Sequence, residues 1–84
     1  MQRNLIMFRS LTYAQRGMQA LERGGITAAL VKAPQSLSQT GCTYGLRLRS
    51  HQLQHSLELL KNRGLPYGKV YESDGDGKWT EVQL

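Results

Sequence analysis

The sequence repeats itself at an interval of forty residues, and this repeat limits the possible folds more than any other feature. Residues 6–10 (Ile-Met-Phe-Arg-Ser) align with residues 46–50 (Leu-Arg-Leu-Arg-Ser), and residues 23–24 align with 63–64, both Arg-Gly. Between these markers each half carries apolar residues at helical spacing. Ser10 and Ser50 suit helix N-caps, and Gly24 and Gly64 suit the positions just after a helix. Each half therefore predicts one amphipathic helix.

Strand-like runs flank both predicted helices. Residues 5–9 and 26–32 surround the first helix, and residues 43–49 and 67–73 surround the second. The order β-α-β-β-α-β predicts an α+β fold, a ferredoxin-like sandwich of one antiparallel sheet with both helices on one face. Turn-forming residues at 74–77 (Asp-Gly-Asp-Gly) predict that the tail, residues 73–84, adds a hairpin and a fifth strand. We expect a single domain over residues 1–84.

Composition narrows the class of protein. The 84 residues include 11 Lys and Arg against 6 Asp and Glu, a net charge of +5, but the basic residues are spread along the chain. The longest apolar run, residues 5–8, is too short to cross a bilayer, and the first residues lack a secretory signal. With a single cysteine, these features predict a cytoplasmic protein that lacks disulfides and does not contact a membrane.

The single cysteine, Cys42, falls at a position that favours chemistry. In the predicted topology the end of the first strand, the start of the first helix, the end of the second strand and the start of the third share one end of the molecule. Arg9, Ser10 and Lys32 should therefore gather around Cys42. Cations and a helix N-terminus favour the thiolate, which is the nucleophilic form of cysteine. Gly41 would leave the sulfur open to approach. The alternative is that Cys42 is a small buried structural residue.

Several short motifs follow one another in an order typical of a known family. They are Phe8-Arg9-Ser10, Gly25-Ile26, residues 30–34 (Leu-Val-Lys-Ala-Pro), the Ser-rich loop and cysteine of residues 36–46, and residues 59–64 (Leu-Leu-Lys-Asn-Arg-Gly). In these motifs, over about residues 4–72, the chain resembles the selenium/sulfur carrier protein-like family, a small bacterial domain of unknown function. Two features depart from the family pattern: Thr43 replaces the glycine after the cysteine, with Gly41 before it, and the acidic tail after Ser73 is additional.

The resemblance implies a carrier function. Cys42 would hold sulfur or selenium as a persulfide or selenopersulfide, with no other cofactor. The partners would be a sulfur-mobilising enzyme, typically a pyridoxal-phosphate desulfurase, and an acceptor protein. The residues themselves agree with a non-enzyme, because the sequence shows no catalytic triad, paired carboxylates or phosphate-binding loop.

Other readings of the sequence are kept as alternatives. One is a non-catalytic interaction or ligand-sensing module, in which Cys42 is structural. Another is RNA binding on the open face of the sheet; we disfavour it because the central strands place no aromatic residue there. His51 and His55 lie one helical turn apart but lack a third ligand, so we expect no metal site.

The first strand is apolar on both faces. Leu5 and Met7 would lie on the face of the sheet that carries no helix, where exposure is costly. Either the tail (Trp79, Val82, Leu84) covers them or a second copy of the chain does. A homodimer is therefore an open alternative for a domain with so small a core.

Overall fold

The fold consists of two helices and a five-stranded antiparallel sheet. The computed structural model describes residues 2–33, 44–73, 75 and 78–83. The elements are β1 (Arg3–Phe8), α1 (Leu11–Arg23), β2 (Ala29–Lys32), β3 (Tyr44–Arg49), α2 (Leu53–Asn62), β4 (Val70–Ser73) and β5 (Thr80–Glu81). The strand order is β2-β3-β1-β4-β5, and all neighbours are antiparallel. The predicted α+β, ferredoxin-like arrangement is confirmed, with β1 and β3 adjacent at the centre.

The main core lies between the sheet and the two helices. It is formed by inward residues of the sheet and of both helices, among them Ile6, Phe8, Ala14, Leu21, Leu46, Leu48, Leu60 and Val70. Phe8 packs so closely on α1 that a Cβ added at Gly17 would lie 2.9 Å from its Cζ atom. A side chain at position 17 would therefore crowd the Phe8 ring. Alternate residues of β1 and β3 thus face the helices, as the period of a strand requires.

The ends of α1 agree only in part with the sequence prediction. The Ser10 hydroxyl accepts a hydrogen bond from the Tyr13 amide at 3.2 Å, so Ser10 caps the helix as expected. The left-handed residue that follows α1 is Gly25 (φ 84°), and Gly24 is the C-cap at φ −86°, so the prediction for Gly24 was wrong. A Cβ at Gly24 would lie 2.4 Å from Leu59 Cδ1. The Leu59 side chain therefore occupies the space that a side chain at position 24 would need.

The start of α2 differs from the prediction that Ser50 is its N-cap. A single turn of 3-10 helix, Ser50–Gln52, precedes α2, and neither turn nor helix has a side-chain cap. The Ser50 hydroxyl is buried without a hydrogen-bond partner in the described part of the chain. Because the chain tightens into the 3-10 turn at Ser50 itself, this residue lies inside the turn and cannot cap it.

A second, smaller core lies on the face of the sheet that carries no helix. Leu5, Met7 and Tyr71 form it, and Leu5 and Met7 are only 1% and 0% exposed. Trp79 packs against this cluster, whereas Val82 packs against the main core. The tail therefore contributes to covering Leu5 and Met7 within a single chain, and Leu84 lies outside the described residues.

The tail is held to β4 by a short strand. β5 pairs Glu81 with Tyr71 and Thr80 with Glu72, and the Lys69 ammonium lies 3.3 Å from the Glu81 carboxylate.

Among the residues that the structure describes, no helix is long and apolar enough to span a membrane.

Candidate functional site

The predicted site lies at the end of the sheet where β1 and β2 finish and β3 begins. Gly41 and Cys42 fall outside the residues that the structure describes, so the frame around them carries the structural information. In that frame Phe8 and Lys32 are both in register with Tyr44, one on each side of it. The three strand ends are therefore level with one another across the sheet.

Arg9, Ser10 and Lys32 lie at this end. Arg9 follows the last residue of β1, Lys32 is the last residue of β2, and both side chains are exposed. Neighbouring strands lie about 4.8 Å apart, so the backbones of β1 and β2 flank the start of β3 at a separation of about 10 Å. The topology thus brings two cations and the capped N-terminus of α1 to one edge. Their action on Cys42 stays a prediction.

This edge carries positive charge. Among the described residues, no ion pair joins Arg9 or Lys32 to a carboxylate. The first turn of α1 contains no acidic residue, and only its third amide is taken by the Ser10 hydroxyl. The first two helical amides have no intrahelical acceptor and add to the positive potential.

The strand ends at this edge are firmly anchored. Gly68 donates a backbone hydrogen bond to Met7 at 2.6 Å, and Met7 donates one to Lys69 at 3.0 Å. Gly45, the residue after Tyr44, packs closely on β1, and a Cβ added to it would lie 2.9 Å from Leu5 Cδ1. β3 therefore begins in a fixed position two residues after Cys42 in the sequence.

The remaining candidate sites considered from the sequence are a histidine metal site and an RNA-binding face of the sheet. His51 and His55 are exposed, and no group of three potential metal ligands occurs among the described residues. As expected, β1 and β3 place no aromatic residue on the helix-free face; the neighbouring strand β4 brings Tyr71 there, opposite Leu5. Tyr71 is buried, so its ring is not presented to a ligand.

A basic cluster that sequence reasoning missed lies at the opposite end of the sheet. Arg3, Arg47 and Arg49 come together there because β1 and β3 are antiparallel neighbours. The spread of basic residues along the chain concealed this cluster. The available signal was the alternation in Arg47-Leu48-Arg49, which places both arginines on one face of a strand.

The comparisons with known proteins agree with the motifs of this edge. A family model described as "Putative Se/S carrier protein-like" matches residues 3–72, from the first residue of β1 into β4. Among curated proteins and among solved structures, nothing matches the chain. The matched range includes position 42 and leaves out the tail that carries Trp79. Because it covers well over half of the 84 residues, the chain belongs to the Se/S carrier protein-like family.

Proposed function

We propose that this protein carries sulfane sulfur or selenium on Cys42. The observation that carries the proposal is the family match over residues 3–72, because Cys42 is the only thiol in that range and in the whole chain. A carrier of this kind needs one accessible thiol and surroundings that favour the thiolate. The cations and free helix amides at the adjoining strand ends support such surroundings.

The proposed loading step is a thiol–persulfide exchange. The Cys42 thiolate attacks the terminal sulfur of a persulfide on the donor, a new S–S bond forms on Cys42, and the donor's S–S bond breaks. The donor cysteine leaves as a thiolate, and the proton on the terminal sulfur moves with that atom. The exchange is redox-neutral, so it requires no further oxidant or reductant. A selenopersulfide on the donor would transfer selenium in the same way.

Arg9 and Lys32 would stabilise the negative charge of the Cys42 thiolate. If each cation stands about 10 Å from the sulfur in water, it stabilises the thiolate by about 0.4 kcal/mol, so two cations contribute about 0.8 kcal/mol. That energy raises the thiolate fraction about fourfold at a pH below the thiol pKa. Ser10 acts indirectly, because its cap fixes the first turn of α1 and the direction of the free amides.

The carrier role requires other proteins. A sulfur-mobilising enzyme would supply the persulfide, and an acceptor thiol would remove the sulfur by the same exchange. We propose that both reactions take place in the cytoplasm, where a free thiol stays reduced. No resident cofactor is needed, and the protein itself would be an accessory to these enzymes.

Intact-mass measurement tests the attachment directly. The reduced protein is incubated with a persulfide donor, desalted and weighed, with Cys42→Ala as the control. We expect a mass gain of one sulfur atom in the unaltered chain and none in the variant. An unaltered mass with a donor that loads a small-molecule thiol would overturn the proposal.

Alkylation rates test the surroundings of the sulfur. The rate with iodoacetamide at pH 7 and low salt should fall about fourfold in the double variant Arg9→Gln, Lys32→Gln. The matched control is Arg23→Gln with Lys61→Gln, which removes the same charge from the helix side and should leave the rate nearly unchanged. Equal rates in the two double variants would count against the proposed roles of Arg9 and Lys32.

Stability of Cys42→Ala separates the carrier from the structural alternative. A carrier cysteine that is open to donors should cost less than about 1 kcal/mol when shortened to alanine. A cysteine buried in a core would leave a cavity and cost more. Urea unfolding of the two proteins measures the difference.

A further inference from the structure

Three arginines form a cluster on the helix-free face of the sheet, at the end away from Phe8 and Lys32. Arg3 begins β1 and lies directly opposite Arg49, the last residue of β3. Arg47 lies two residues before Arg49 and therefore on the same face. All three side chains are exposed. We call Arg3, Arg47 and Arg49 the arginine cluster.

The arginine cluster borders a cavity of about 210 Å³. The remaining walls are Thr27, Ala28, Ala29 and Leu48. Ala28 and Leu48 are buried, so the floor of the cavity is fixed by the fold, while the cations stand at its rim. This space is open to solvent, so a small anion can enter it from the surface.

The cluster has no negative partner among the described residues. The four carboxylates that the structure describes lie elsewhere: Glu22 and Glu58 on the helices, Glu72 on the face of the sheet that packs on the helices, and Glu81 paired with Lys69. Like charges directly opposite each other on neighbouring strands are destabilising. An anion in the cavity would offset this repulsion.

A second group of arginines allows a comparison. Arg16, Arg23 and Arg63 border a cavity of about 230 Å³ beside α1. Arg16 and Arg23 are seven residues apart on the helix, about 10 Å along its axis, and Glu22 is adjacent to Arg23. In the arginine cluster, by contrast, Arg3 and Arg49 face each other at a strand spacing of about 5 Å. The backbone positions of Arg3 and Arg49 are therefore closer together than those of Arg16 and Arg23.

We propose that the arginine cluster binds the phosphoryl group of a small phosphate compound. Guanidinium groups match phosphate oxygens in bidentate geometry, and a dianion offsets more of the triple positive charge than a single carboxylate does. A small ligand fits better than a nucleic acid, because Tyr71 is buried and Trp79 packs on the second core, so neither ring is free to stack on bases. This inference does not depend on the carrier function, since Arg9 and Lys32, the cations of that proposal, lie at the other end of the sheet.

The test uses inorganic pyrophosphate and ADP as probes. Calorimetric titration at low ionic strength measures affinity, and amide shifts in labelled protein locate the site. The triple variant Arg3→Gln, Arg47→Gln, Arg49→Gln should bind at least about tenfold more weakly, and shifts in the unaltered chain should centre on residues 27–29 and 47–49. Tighter binding of ADP than of pyrophosphate would identify a nucleotide as the source of the phosphoryl group, and equal binding would identify an inorganic phosphate.

The control removes the same charge elsewhere. The triple variant Arg16→Gln, Arg23→Gln, Arg63→Gln should keep the affinity within about twofold if the site is local. Equal weakening in both triple variants would overturn the proposal, since net charge alone would then explain binding. Absence of binding, malonate binding as tight as pyrophosphate, or binding of an oligonucleotide but not of pyrophosphate would also overturn it. Circular dichroism verifies that each variant is folded.

Discussion

Replacing Trp79 with alanine tests whether the tail is part of the folded domain. The side chain packs against the cluster of Leu5, Met7 and Tyr71, which are almost completely buried, and is itself partly buried. Truncation of a fully buried tryptophan to alanine costs about 3–5 kcal/mol, so a partly buried one should cost less, about 2 kcal/mol. We therefore expect Trp79→Ala to lower the free energy of unfolding by about that amount.

Urea unfolding followed by far-ultraviolet circular dichroism measures this loss. For a domain of this size, with a urea dependence of about 1 kcal/mol per molar, the midpoint should fall by about 2 M. The melting temperature should fall by about 8–16 °C. Gln83→Ala, an exposed position in the same tail, is the matched control and should change neither value appreciably.

Two results would refute this reasoning. A loss below about 0.5 kcal/mol would mean that Trp79 does not cover the second core. Retained stability with a dimeric mass in light scattering would mean that a second copy covers Leu5 and Met7, which was the other possibility that the sequence left open. In that case the melting temperature should also rise with protein concentration.

Three further substitutions have expected effects on stability. Ser10→Ala should cost about 1 kcal/mol, because the α1 cap is lost; urea unfolding should show this, and an unchanged midpoint would contradict the cap. Gly17→Ala should be destabilising by about 1 kcal/mol, because crowding of the buried Phe8 ring outweighs the gain in helix propensity; a higher melting temperature would show that the ring can move. Arg49→Gln should raise the free energy of unfolding by a few tenths of a kcal/mol at low salt, because it removes the repulsion between Arg49 and Arg3. This gain should fade at high salt, and a gain that does not depend on salt would refute its electrostatic origin.

Features set by short-range chemistry could be predicted from the sequence. The strand order followed from the repeated unit and the handedness of crossovers, and the phase of β3 followed from alternation, whereas β1 is apolar on both faces and shows no such alternation. The Ser10 cap depends only on residues within one helical turn. The repeat also gave one wrong prediction, because it assigned to Ser50 the N-cap role that Ser10 has. The chain after β3 forms a 3-10 turn that its counterpart after β1 lacks.

Features set by contacts between distant segments could not be predicted. Gly24 looked suited to the left-handed position, but its role is to make room for Leu59 of α2. The sequence did not show whether the tail or a second copy of the chain covers Leu5 and Met7. The apolar character of these residues indicates that they are buried, but it does not indicate which segment packs on them. The arginine cluster depends on the register between β1 and β3, which sets Arg3 opposite Arg49 and which no local pattern displays.

Arg9 and Lys32 lie at the opposite end of the sheet from the arginine cluster, and this separation has a measurable consequence. β1 runs from Arg3 to Phe8, five residue steps of about 3.3 Å, so its ends are about 17 Å apart. The Debye length is about 8 Å at physiological ionic strength, so charges at one end act weakly on the other. The triple variant of the arginine cluster should therefore leave the alkylation rate of Cys42 within about twofold of the unaltered chain, and loading of sulfur should leave pyrophosphate affinity unchanged. A coupled response in either measurement would show that a structural change, rather than electrostatics, links the two ends of β1.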